Sequence, residues 1–377
     1  MKKLLAVIIT WTIFIAPAMA QELERIGEWG TPPYHHIEQT GTALYAVSEN
    51  GWIDVFDVTE AASPVRGDRV RLAGKPYALL FHNERAYVSS GWAGIQVLDV
   101  SDPLHPVLTG QVDLDSDVRD LSAVGNTLFI ASRDNGLGIA DLSDPDHPSL
   151  IEYVSEFTTD DTATELLTDT IVTLIDGTTL FVSDGTYGLV VLDITDPRAP
   201  TYVNYSTTGY IVLELLVEDD LLIAGLGIGG VYLFDITDLT NIVGLDNFVS
   251  ESVDLDGDGS NDYTYQVNYT YGIQKHGDAL YIADGVGFEV LDISDTTDIG
   301  ILHEQLNEFS TTDALIYGDI LYTAETVNGL ALYDISSTEE SPRIAALNDG
   351  GFTMDMVVTG NRMITSDLYR GVRVLDI

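Results

Sequence analysis

Cysteine is absent from the 377 residues, which removes disulfides, thiolate metal centres and cysteine nucleophiles. Basic residues are scarce: 16 Lys and Arg stand against 60 Asp and Glu, a formal net charge of −44. Such a surface repels phosphate almost everywhere, so nucleic-acid binding through a basic face is excluded. Past the first twenty residues there is no sustained helical periodicity, and no apolar run approaches the roughly 20 residues of a spanning helix. What the chain does have is apolar substance. Hydrophobic residues make up 45%, more than an acidic disordered tail carries, so a packed core is expected. The acidity itself fits solubility in saline surroundings better than a dedicated cation-binding surface.

Residues 1–20 read as an address. Lys2 and Lys3 precede an apolar run over 4–15, and Ala18-Met19-Ala20 is a small-x-small cleavage site. Cleavage is expected before Gln21. No cysteine follows to carry a lipid and no anchoring segment is recognised after the last repeat, so a periplasmic or secreted protein is expected.

The remainder is organised by one phrase, apolar-x-apolar-x-Asp-apolar-Ser/Thr. It recurs with its aspartate at 57, 99, 141, 193, 235, 292, 334 and 376, at intervals of 42, 42, 52, 42, 57, 42 and 42. Each unit holds four short apolar runs separated by Gly, Asn and Asp-Pro breaks, which read as strands. Four strands in such a period form the blade of a β-propeller, and a blade buries both faces only between neighbours. Eight aspartates predict an all-β chain folded as a single eight-bladed propeller over 21–377. Seven blades plus a stray unit, or an open solenoid, are the alternatives. The chain ends on a third-strand pattern (372–377) and begins with a fourth-strand pattern (23–29). The first strand is therefore expected to complete the last blade.

Residues 188–197 (GLVVLDITDP) with Pro200, and residues 94–103 with Pro106, resemble the LVIVD-repeat propellers. The resemblance extends over nearly all of 22–377. It implies an exported bacterial or archaeal surface protein and is nearly silent about chemistry.

The repeated aspartates invite a catalytic reading. Eight equivalent copies cannot all be one active site, and Asp before Ser/Thr and Asp-Pro suits a strand-ending turn. His105 and His147 occupy such turns. Glycines before the third strands are turn punctuation. The Gly-rich residues 225–230 resemble a dinucleotide loop only superficially, since no helix follows.

Two insertions, at about 158–169 and 250–268, break the period, both between a fourth strand and the next first strand. The second contains Asp254, Asp256, Asp258, Ser260 and Asp262. Carboxylates at positions 1, 3, 5 and 9, Gly at 6 and an inward carbonyl at 7 match a calcium loop. Tyr265 replaces the bidentate Glu of an EF-hand, and the spacing resembles the loops of integrin-type propellers. Ca²⁺ is expected there as a structural ion; the alternative is a merely solvated acidic loop, whose carboxylates would repel one another. The first insertion, with Asp160, Asp161, Glu165 and Asp169, reads as a solvated loop rather than a second metal site.

Loops on the same face contribute Tyr34, His35, His36, Tyr77, Trp92, Arg119, Arg133 and Tyr187 as candidate ligand contacts, or else as packing between blades. Arg119 and Arg133 could offset Asp120 and Asp134. No His-Glu-x-x-His, Gly-x-Ser-x-Gly or phosphate loop is found. The expected function is a binding scaffold, a monomer meeting an extracellular protein or glycan. A hydrolase or lyase with an axial site and a structural surface component are the alternatives. Histidines with carboxylates in the channel would favour the enzyme, and an aromatic patch on the insertion face would favour the binder.

Overall fold

The computed structural model describes residues 24–29, 33–60, 64–158, 164–167, 169–185, 188–249, 270, 272–284, 287–306, 311–325, 329–338, 340–347 and 351–377, the first of these segments by its backbone only. The expected leader at 1–20, Tyr187 and the residues expected to hold calcium, Asp254, Asp256, Asp258, Ser260 and Asp262, lie outside them.

Eight four-stranded antiparallel sheets form a ring, leaving no stray unit. Strands are lettered a to d from the axis outward. Blade 1, for example, comprises His36–Thr40, Ala43–Val47, Trp52–Asp57 and Val65–Arg71. Blade 8 takes its a, b and c strands from Thr353–Thr359, Arg362–Asp367 and Gly371–Asp376. Its d strand is Glu24–Trp29, which pairs antiparallel with the chain's last strand from Glu24↔Asp376 to Trp29↔Val372. The ring is closed by backbone hydrogen bonds, which removes an open edge.

Burial explains the sequence pattern. The b and c strands are sandwiched by neighbours on both sides, so nearly every residue in them is buried. Alternate residues serve alternate interfaces. Ala86 and Val88 pack toward blade 1, whereas Tyr87 packs toward blade 3. Eight such apolar clusters fill the eight interfaces, the last joining Val372 and Val374 to Leu44 and Phe56.

The repeated aspartates are turn residues. Asp57, Asp99, Asp141, Asp193, Asp235, Asp292 and Asp334 each accept the backbone N–H two residues on, at 2.7–2.9 Å. The hydroxyl and N–H of that Ser or Thr hold these exposed carboxyls below the usual range; Asp141, with Arg198 also 2.8 Å away, reaches about 2. The apolar residue after each aspartate plugs the blade, and its N–H donates to the a–b turn of the same blade, from Val58 to Thr42 (2.8 Å) round to Ile377 and Asn361 (3.1 Å). His105 and His147 donate backbone N–H groups to Asp102 and Asp144 within these turns. Before the c strand, Gly94 has φ +73° and a Cβ there would stand 2.1 Å from the Val112 carbonyl oxygen, so only glycine fits.

The antiparallel order sends all d–a connections and b–c turns to one face, and a–b and c–d turns to the other. Both insertions therefore leave from and return to the first face. The shorter one is no plain loop: Glu156–Thr158 pairs with Thr164–Leu166 as a hairpin. Among the described residues, no helix is long and apolar enough to cross a membrane.

Candidate functional site

Among the described residues, two clefts open on the insertion face. The larger, about 420 Å³, spans blades 3 to 5; its walls are Ile171, Tyr210, Ile211, Leu213, Leu226 and Ile228, with Arg119 and Arg133 at its edge. The smaller, about 330 Å³, lies at blades 2 and 3 and is lined by Lys75, Tyr77, Trp92, Asp117, Arg119 and the backbone around Gly74 and Gly91. Arg119 belongs to both.

Arg119 is the second residue of the a strand Val118–Val124. Residues two apart share a side of extended backbone, so Arg119 meets Asp117, not Asp120: Nη2 and Nε lie 2.5 and 3.0 Å from Asp117 Oδ2. The guanidinium stacks 4.1 Å from the Tyr77 ring centroid, a favourable cation–π distance. Lys75, 5.4 Å from the same ring, pairs with Glu49 at 2.7 Å. A Cβ on Gly91 (φ +58°) would come within 3.2 Å of both the Tyr77 ring and Asp117 Oδ1, so its glycine keeps this corner open. Arg133, on the b–c turn of blade 3, pairs with Asp169 at the end of the first insertion, Nη2 to Oδ2 3.2 Å, and the Asp169 N–H donates to the Arg133 carbonyl at 2.8 Å. Asp134 acts on Arg133 through space only. The expected pairings with Asp120 and Asp134 are thus replaced by Asp117 and Asp169.

The channel presents a different constellation. Four residues before the end of each a strand, His36, Ala78, Asp120, Val172 (just ahead of its strand), Glu214, Gly272, Asp313 and Asp355 stand at one level of the ring. The inner edge of every a strand lacks a strand partner, and three of these carboxylates supply acceptors for the next blade. Asp120 accepts from Thr173 N–H (2.9 Å), Glu214 from Ile273 N–H (3.3 Å) and Asp355 from Ile37 N–H (2.9 Å). Burial pushes Asp120 up and Glu214 to about 7. Burial and the neighbouring Asp355 raise Asp313 well above the carboxylate range. His36 Nδ1 sits 2.6 Å from Asp355 Oδ2. Among the described residues, no group of three His, Asp or Glu is arranged to hold a metal ion.

The candidate contacts therefore separate. Tyr77, Trp92 and Arg119 line one cleft, and Arg119 and Arg133 edge the other. Tyr34 is fully buried and donates its hydroxyl to Asp54, which also holds Arg66 and Arg69, so it is a packing residue. His35 is half-buried beside the Pro76 backbone; desolvation, with the charges of His36 and Lys75, lowers its pKa to about 4. His36 belongs to the channel wall. Tyr210 and Ile228 escaped the sequence reading. Their signal was position: one stands in a d–a connection, the other in the Gly-rich b–c turn taken as punctuation.

The LVIVD repeat model matches residues 84–114, 115–156, 174–208 and 269–303, which fall in blades 2, 3, 4 and 6. Four LVIVD repeats are thus found within the eight-bladed propeller. No curated protein matches it. Solved structures similar to it include Sqt1 of Saccharomyces cerevisiae (TM-score 0.69, 11% identity, covering 94% of this chain and 97% of that one). BamB from Moraxella catarrhalis (0.67, 13%, 94% and 98%) and the computationally designed Ika8 protein (0.66, 10%, 94% and 98%) are similar too. At these identities the likeness is one of fold.

Proposed function

We propose that this protein is an exported binding scaffold that recognises its partner on the insertion face, with Ca²⁺ ordering the longer insertion. One observation carries the reading. Among the described residues, the exposed large apolar side chains fall mainly into two sets. Val65, Val107, Leu108, Leu150, Ile151, Val243 and Ile301 lie along the outer strands, as single residues of a perimeter. Tyr77, Trp92, Tyr210, Ile228 and Tyr369 stand instead in d–a and b–c loops of one face, four of them lining the two clefts. Trp92 is 65% exposed. Large apolar groups gathered around concave surface mark interaction sites. The spacing of Asp254, Asp256, Asp258, Ser260 and Asp262 supports the ion, in a segment that begins and ends on this face.

The test is site-specific photo-crosslinking in the producing cells. A crosslinker placed at Trp92 should yield a discrete adduct, and one at Tyr317, on the opposite face, should yield none. Adducts from position 317 only, or from neither position, would overturn the reading.

An axial hydrolase or lyase is the second reading. It is favoured by the His36–Asp355 contact with Asp313 beside it in the channel. Against it stands the engagement of Asp120, Glu214 and Asp355 with neighbouring backbone, which uses those oxygens to tie blades together. Activity-based screening of wild type against Asp313→Asn separates the two readings.

A further inference from the structure

The two clefts of the insertion face are one continuous surface, joined at Arg119, and its chemistry restricts what can lie in it. The larger cleft is shaped by its glycines. A Cβ on Gly229 would stand 2.4 Å from the Tyr210 ring, so the ring lies directly against the backbone of the b–c turn and becomes a wall. Opposite it are aliphatic side chains, and the polar groups at the edge are two guanidiniums whose charge is already met. Arg119 is spent on Asp117, and Arg133 on Asp169. Among the described residues, an anionic ligand would find no unpaired cation at this edge. In the d–a and b–c connections of the same face, Asp113, Asp115, Asp134 and Glu156 are exposed, within a molecule of net charge −44.

We propose that this surface docks a segment of a second protein presenting one bulky aliphatic or aromatic side chain flanked by lysine or arginine. The proposal rests on the reading of the insertion face as the recognition surface. The apolar side chain fills the cleft of Tyr210, Leu226 and Ile228. The flanking cations meet the exposed carboxylates of this face, and Trp92 and Tyr77 form a shelf for the rest of the segment. Trp, Tyr and Arg are the residues that dominate binding energy at protein interfaces. Charge complementarity here sets encounter rate and partner choice more than strength. A glycan fits the larger cleft poorly, because hydroxyls buried against Ile171, Ile211 and Leu226 would lose water without gaining partners.

The experiment is selection of random dodecapeptides on phage against the folded full chain. Enriched peptides are then synthesised and titrated against wild type, Ile228→Gln and Tyr317→Gln. Both substituted side chains are more than half exposed, so neither variant should compromise folding. The enriched sequences should share a large apolar residue beside Lys or Arg. Affinity should fall about tenfold or more in Ile228→Gln and stay unchanged in Tyr317→Gln. Replacing the flanking Lys by Glu should slow association. Acidic or wholly polar consensus sequences, indifference to Ile228→Gln, or no enrichment would overturn the proposal. A glycan array run in parallel gives the competing outcome. Saccharide binding that is lost in Trp92→Ala, without peptide enrichment, removes the peptide partner but leaves the insertion face as the recognition surface. A failed crosslink at position 92 removes that surface itself.

Discussion

Asp355 Oδ2 stands 2.6 Å from Nδ1 of His36, across the seam where the last blade meets the first. The same oxygen accepts the Ile37 N–H, while Oδ1 accepts the Met356 N–H at 2.7 Å. Burial alone would push the histidine down and the carboxyl up. The hydrogen bond and opposite charge reverse both: His36 is raised above 6.5, and Asp355, with the backbone N–H groups helping, is lowered below 3.8. A raised histidine contributes stability that is present below its unfolded pKa and lost as pH rises through the folded one. A lowered carboxyl contributes stability that is present above its unfolded value and lost as pH falls through the folded one. The pair therefore supports the seam most between about pH 4 and 6.5.

The direction of the His36 shift should invert when its partner is neutral. In Asp355→Asn the burial persists and the charge does not, so the His36 pKa measured by NMR titration should drop from above 6.5 to below it. His35, held low chiefly by desolvation, should stay below 6.5 in both proteins. A His36 pKa still above 6.5 in the variant would assign its shift to other groups.

Glu214 should make the fold less stable in alkali. Its carboxyl is raised from 4.5 to about 7, chiefly by burial and against the opposing Ile273 N–H. The folded value exceeds the unfolded one, so this contribution is intact below pH 4.5 and is lost as pH rises through about 7. Glu214→Gln keeps an acceptor for Ile273 without the charge. Urea unfolding should show it more stable than wild type at pH 8, by on the order of 1 kcal/mol, and about equal at pH 5. A loss at both values would mean that the hydrogen bond outweighs desolvation.

The architecture was legible because its physics repeats. Asp57, Asp99 and their equivalents sit in one turn that each blade must make, so one residue type recurs at one spacing. The end strands showed their phase in the same way. The channel layer repeats just as regularly in space, yet its occupants are His36, Ala78, Asp120, Val172, Glu214, Gly272, Asp313 and Asp355. Aspartate alone recurs, at three of the eight positions, because each blade solves the unpaired inner edge differently. Arg119 was misjoined to Asp120 because adjacency in sequence was read as adjacency in space. Along extended backbone the neighbour points away and the residue two before it is the partner. Arg133 and Asp169 are 36 residues apart, and their contact depends on the path of the insertion between them. Gly227 and Gly229 lie in a b–c turn, but the room left by a glycine there becomes visible only with Tyr210 beside Gly229.

Closure by the first strand should be a property of the whole ring. Glu24–Trp29 supplies the outer partner for Gly371–Asp376. Without it the last blade has three strands and an open edge next to the seam. Deleting residues 21–30 should lower the Tm by roughly 5–10 °C in a single transition, with amide exchange accelerated in blades 1 and 8 alike. Loss of protection confined to the last strand, with Tm unchanged, would show that the ring holds without its clasp.

Net charge and the acidic insertion make separable predictions about cations. Sixty carboxylates against 16 basic residues repel one another at low ionic strength, and screening extends over about 10 Å at 0.1 M salt. Raising NaCl from 10 to 500 mM should therefore raise the Tm of wild type and of an Asp256→Asn/Asp258→Asn double variant by similar amounts. Calcium added at constant ionic strength should act on wild type alone. An ion bound only by the folded chain stabilises it by about 2.7 kcal/mol at a hundredfold excess over Kd. Removing two of the five proposed ligands, Asp254, Asp256, Asp258, Ser260 and Asp262, should abolish that increment while sparing the salt response. Calorimetry should give about one Ca²⁺ per chain in wild type and none in the variant. Equal binding by both proteins would move the ion elsewhere on the acidic surface, and a calcium effect reproduced by NaCl would reduce it to screening.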